Sequence, residues 1–138
     1  MARIVKSIKS GLGDTTGLGE TAGDDQLEGR YSVEVATLTD GATITPDFEA
    51  NQNFTVTLAG NRTLANPSNV TADKVGQTGS IFVVQDGTGS RTLSFGSNWD
   101  FIGGTAPTLS TAPSAVDRID YIVRSTTSIQ AVVTLGYA

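Results

Sequence analysis

Ile81-Phe82-Val83-Val84 is an unbroken run of large apolar residues, three of them β-branched, and it limits the chain more than any other stretch. Branched side chains favour the extended backbone, and a run with no polar face belongs to a strand covered on both sides, so this strand is expected to be central. After it come the glycine-bearing loop Asp86-Gly87-Thr88-Gly89-Ser90 and then Thr92-Leu93-Ser94-Phe95, in which apolar and polar residues alternate. Such a pair of runs predicts a β-hairpin over residues 79–95, with Gly87 and Gly89 supplying the positive φ of a tight reversal.

The same grammar begins after Arg30. Tyr31, Val33 and Val35 alternate with Ser32, Glu34 and Ala36 up to the turn Thr39-Asp40-Gly41. A short strand follows at 42–44 and is bounded by Pro46, which cannot donate to a central ladder. Phe54, Val56 and Leu58 alternate with Asn53, Thr55 and Thr57, and Ala59-Gly60-Asn61-Arg62 leads into Thr63-Leu64, the expected second hairpin. Residues 65–77 have little periodicity and read as a long crossing connection. A third hairpin is expected from Arg118 to Leu135, turning at Arg124-Ser125-Thr126-Thr127. About eight strands, with no helical pattern after residue 30, predict an all-β fold. The expected architecture is an antiparallel β-sandwich with jelly-roll or Greek-key connections. No repeat of 20–50 residues stands out, which disfavours a solenoid or propeller.

Residues 1–30 differ in kind. Six glycines, Gly11, Gly13, Gly17, Gly19, Gly23 and Gly29, are mixed with acids and threonines, too little apolar surface to offset the entropy of ordering. The segment is expected to be an extended arm, and residues 31–138 the sandwich domain. At its start Met1, Ile4, Val5, Ile8 and Leu12 fall at helical spacing beside Arg3, Lys6 and Lys9. Arg3, Ile4, Val5, Lys6, Ile8, Lys9 and Leu12 are therefore the candidate interface, a docking peptide that orders on a partner; a frayed terminus is the plain alternative. Residues 11–19 follow no predicted strand and lack the Gly-Lys-Ser/Thr ending of a phosphate-binding loop. Charges interrupt the apolar residues at the start, so no secretory signal is read and the mature chain is expected to begin at Met1.

The chain has no cysteine and no histidine. Disulfides, thiolate metal sites and Ser-His or Cys-His nucleophiles are thereby excluded, and no enzymatic activity or cofactor is expected. The net charge is −5, but after Lys9 six basic side chains face fourteen acidic ones, a net of −8. An acidic body is a poor partner for nucleic acid. No run of eighteen apolar residues is present to form a membrane-spanning helix. A glycosidase would need two carboxylates about 5–10 Å apart, flanking the scissile bond. Asp117 and Asp120 are separated by an odd number and fall on opposite strand faces, while Asp86 and Asp100 lie in or near loops. Asp86-Gly-Thr-Gly-Ser lacks the later carboxylates of a calcium loop. Asn53-Phe-Thr, Asn61-Arg-Thr and Asn69-Val-Thr are formal glycosylation acceptors, read here as products of an Asn/Thr-rich β composition. Trp99, the single tryptophan, reads as a core or rim side chain before a ligand-stacking one.

Thr57-Leu58-Ala59-Gly60-Asn61-Arg62-Thr63-Leu64 with Asn66-Pro67, Gly79, the run Ile81 to Asp86, Gly89-Ser90-Arg91-Thr92, Trp99, Gly103-Gly104-Thr105-Ala106-Pro107 and Asp117 follow one another in a spacing that resembles a small β domain recurring in tail, fibre and head-associated proteins of tailed bacteriophages. The resemblance covers residues 55–135 and implies a structural module of the virion, with no catalytic residue to carry over. The chain lacks the coiled or repetitive shaft of a long fibre. The leading expectation is a capsid decoration or cement protein on the outer surface of the head, its arm laid on the major capsid protein and its sandwich self-associating as a homotrimer. The alternative is a tail or fibre module that binds a host-surface glycan or protein, with Trp99, Tyr121 or loop acids contributing.

Overall fold

A computed structural model describes residues 32–137. Within them lie nine strands: β1 (Val35–Thr37), β2 (Thr43–Ile44), β3 (Asn53–Leu58), β4 (Arg62–Leu64), β5 (Thr78–Gln85), β6 (Leu93–Phe95), β7 (Trp99–Phe101), β8 (Val116–Ser125) and β9 (Ser128–Tyr137). They form a six-stranded sheet, ordered β1-β3-β5-β8-β9-β7, and a three-stranded sheet, ordered β2-β4-β6. The all-β, two-sheet architecture is as the sequence reading expects. The expected arm over residues 1–30, with Arg3, Ile4, Val5, Lys6, Ile8, Lys9 and Leu12, lies outside the described residues.

Strand direction departs from the antiparallel expectation. Only β5–β8 and β8–β9 pair antiparallel; β1–β3, β3–β5, β2–β4, β4–β6 and β7–β9 are parallel. Up to β6 the chain alternates between the sheets, odd strands in the large one and even strands in the small one. Each pair is one coil of a short stack, so the jelly-roll or Greek-key connectivity gives way to a three-coil solenoid whose two faces form the sandwich. The first two expected hairpins are strand, corner, strand units: β3 and β4, and β5 and β6, lie in different sheets. The third hairpin, β8–β9, is as expected.

A corner replaces a hairpin because both runs have a partner elsewhere. Phe54 lies opposite Ile81 and Leu64 opposite Phe95, so each strand pairs with its counterpart in the next coil. The inward residues Phe54, Val56 and Leu58 of β3 and Ile81 and Val83 of β5 are buried, and they face Ile44 and Leu64 of the small sheet in one continuous core. That core holds fifteen buried apolar side chains among the described residues. At roughly 1.5–3 kcal/mol each, they dominate what stabilises the body. The central place of β5, between β3 and β8, follows the expectation. Its outward residues Phe82 and Val84 are half-buried, flanked by Thr55 and Arg118 and by Thr57 and Val116.

Side-chain amides join the coils at their corners. Asn53 Oδ1 accepts from Ser80 N (3.0 Å), Asn61 Oδ1 from Thr92 N (3.1 Å) and Asn66 Oδ1 from Asn98 N (2.8 Å). Asn69 Nδ2 donates to Asp47 Oδ1 (2.7 Å). The three Asn Oδ1 acceptors each satisfy a backbone N–H of the next coil, and the Asn69–Asp47 bond ties two side chains. The Asn-rich composition noted in the sequence is thus stacking hardware, and three of these asparagines are the formal glycosylation acceptors.

Candidate functional site

Since β7 and β8 flank β9, three strands set out the outer face at one end of the large sheet. Asp100, Gln130 and Ile122 lie opposite one another in one row across β7, β9 and β8. In the next outward row Val132 lies opposite Asp120. Ile102, which opens the 3-10 turn Ile102–Gly104 at the end of β7, is 85% exposed. Gly103 and Gly104 have φ of 73° and 72°, a backbone that turns the chain away and that L side chains rarely adopt. Asp100, Gln130, Ile122, Val132, Asp120 and Ile102, with Phe101, line an open groove of about 530 Å³. Val132 and Ile122 are about half exposed, at 51% and 44%, and form an apolar floor between carboxylates.

The polar groups of the groove are anchored. Asp100 Oδ2 accepts a hydrogen bond from the buried Ser128 hydroxyl. Asp120 Oδ1 accepts from Ser80 Oγ (2.6 Å), and its Oδ2 from Arg118 Nε (2.9 Å), so Arg118 balances one of the two charges. Ion pairing among the described residues leaves Asp100 without a basic partner. At Gln130 β9 has β7 on one side and β8 on the other, hence the floor can recognise a ligand only through side chains. Such a surface can bind, with acceptors at its rim, one amide in its middle and aliphatic contacts around them.

The other residues singled out in the sequence serve the fold. Trp99 and Tyr121 are 6% and 4% exposed, so neither can stack on a ligand. Trp99 Nε1 donates to Ala65 O (2.9 Å), and its ring meets Phe48 and Tyr121 edge-on at 6.3 and 6.1 Å. Burial pushes the Tyr121 phenol up to about 12, while its hydroxyl donates to Gln52 O (2.7 Å). Asp86 Oδ1 accepts from Thr88 N and Gly89 N, and its Oδ2 takes Arg91, whose guanidinium holds the carboxyl down at about 2. The Asp86 loop is therefore a closed corner. Asp117 is buried and accepts from Ser110 N, Ser110 Oγ and Gly136 N, on the opposite face from the half-buried Asp120. Among the described residues no three His, Cys, Asp or Glu side chains converge as a metal site. Nor is any helix there long and apolar enough to cross a membrane.

Gln130, Ile102, Ile122 and Val132 were not singled out by the sequence reading. A signal for two of them was present, since Ile122 and Val132 occupy the outward phase of strands whose inward phase is already apolar. Large aliphatic residues in that phase expose themselves to solvent at a cost.

Residues 44–133, from β2 into β9, match the protein family described as "Putative phage tail fibre C-terminal domain". The chain belongs to this family, and with it to the structural domains of the phage virion. No curated protein and no solved structure matches the chain.

Proposed function

We propose that this chain is a module of a phage tail fibre, a rigid β body that presents a side-chain surface for contact with the host. The family match over residues 44–133 carries the reading, because it favours the tail alternative over decoration of the head. The build of the body supports it. Coils stacked by parallel pairing and corner amides, closed by the β8–β9 hairpin, make a body in which surface side chains hold fixed relative positions. The module is non-catalytic in this reading, since Asp86 and Asp117 are both engaged in closing the fold. The groove on the outer face of β7, β9 and β8 is the surface that this role would use.

Quantitative mass spectrometry of purified virions tests the assignment through stoichiometry. A tail-fibre module is expected at a small fraction of the copy number of the major capsid protein. A copy number comparable with that of the capsid protein would overturn the tail reading in favour of shell decoration.

A further inference from the structure

We propose that the groove of β7, β9 and β8 is a binding site for a neutral saccharide of about two pyranose rings; this rests on the host-contact reading above and names its ligand class. The lining is a checkerboard. One row runs Asp100, Gln130, Ile122, the next carries Val132 and Asp120, and Ile102 borders the groove just past the end of β7. Carboxylates therefore stand at opposite corners with aliphatic side chains at the other two. Two strand spacings across and one pleat along put those carboxylates about 12 Å apart at the backbone, a separation that two linked rings can bridge.

Each component fits a hydroxylated, uncharged ligand. Ionised carboxylates only accept hydrogen bonds, so they select hydroxyl donors, and a hydrogen bond to a charged acceptor is the stronger kind. Gln130, between them, can both donate and accept, as a sugar hydroxyl also can. Ile122, Val132 and Ile102 offer aliphatic surface to the C–H faces of the rings. A ligand anion at the Asp100 end would meet a carboxylate that has no basic partner among the described residues, and is disfavoured there. The volume of about 530 Å³ falls within the usual range of small-ligand sites.

The test is a titration of the full chain with maltose, lactose, cellobiose and N,N′-diacetylchitobiose, followed by backbone amide chemical shifts. At least one sugar is expected to give saturable shifts confined to Gly103, Ile122, Gln130, Val132 and their neighbours. Gln130→Ala and Asp100→Asn are each expected to weaken that binding about tenfold, as loss of one hydrogen bond to a ligand does. Thr57→Ala, on the outer face of β3, should leave it unchanged. The same spectra report whether each variant is folded. The assignment is overturned if none of the four sugars gives saturable shifts in the groove, if the shifts map elsewhere, or if both groove variants bind as the parent does. Preference for a sialylated or an amino sugar over all four would also overturn it. Position and copy number on the particle are read separately, so a fibre module that binds none of these sugars loses the groove assignment while the tail reading stands.

Discussion

Gly79 has no space for a methyl group. A Cβ built there would overlap the carbonyl oxygen of Gln52 and approach the Tyr121 hydroxyl to 2.7 Å, and those two groups are hydrogen-bonded to each other. Gly79→Ala is expected to destabilise the body by about 3 kcal/mol, at the upper end of overpacking costs, and chemical denaturation would measure it. Asp86 makes a prediction of a different kind. Arg91 depresses its carboxyl from the ordinary 3.8 to about 2. A group that binds its proton more weakly when folded adds stability that is whole above its unfolded value and is lost as pH falls through its folded one. The Asp86 contribution should therefore disappear between about pH 4 and pH 2. Denaturant midpoints measured across that window should fall less steeply in Asp86→Asn than in the parent. Asp40, lowered by Arg62, shifts in the same direction and leaves a residual slope in the variant.

Among elements, the strands were legible in the sequence and their partners were not. Alternation along Phe54, Val56 and Leu58 tells which side chains are buried, and the structure buries those three. It carries no information on whether the neighbouring strand runs with or against them. A short Gly/Asn connection serves a hairpin or a corner between sheets equally well, and 59–61 turns the corner. The coil repeat was hidden by its irregular length. Counterparts are 18 and 20 residues apart between the first two coils (Val35 to Asn53, Thr43 to Thr63), but 27 and 31 between the next two (Phe54 to Ile81, Arg62 to Leu93). A trace of the repeat does survive. Gly60-Asn-Arg-Thr-Leu and Gly89-Ser-Arg-Thr-Leu recur 29 residues apart, two short of the pairing offset, and a slip of two residues preserves which face each side chain takes. The corner amides were visible only as composition. Asn66 shows their value: Asn66→Ala removes the bonds to Asn98 N (2.8 Å) and Ser97 Oγ (3.2 Å). The loss should be about 1–2 kcal/mol, with faster amide exchange at Asn98 than elsewhere in the body. Unchanged exchange at Asn98 would show that the amide does not tie these coils together.

For the whole molecule, the likeness to phage β domains in the sequence implies a virion structural role, and the family match over residues 44–133 agrees. The groove was not legible, since its members come from three strands whose pairing joins Asp100, Gln130 and Ile122 only in the folded sheet. The proposed host-contact surface and the corner-stapled coils belong together physically. A surface that recognises through fixed side chains needs a body whose coils do not slide, and the core and amide contacts supply that rigidity. Immunoelectron microscopy of intact particles, with antibody raised against residues 32–137, tests the central assignment most directly. Label on the tail fibres with bare heads is the predicted result, and label spread over the head surface would contradict it.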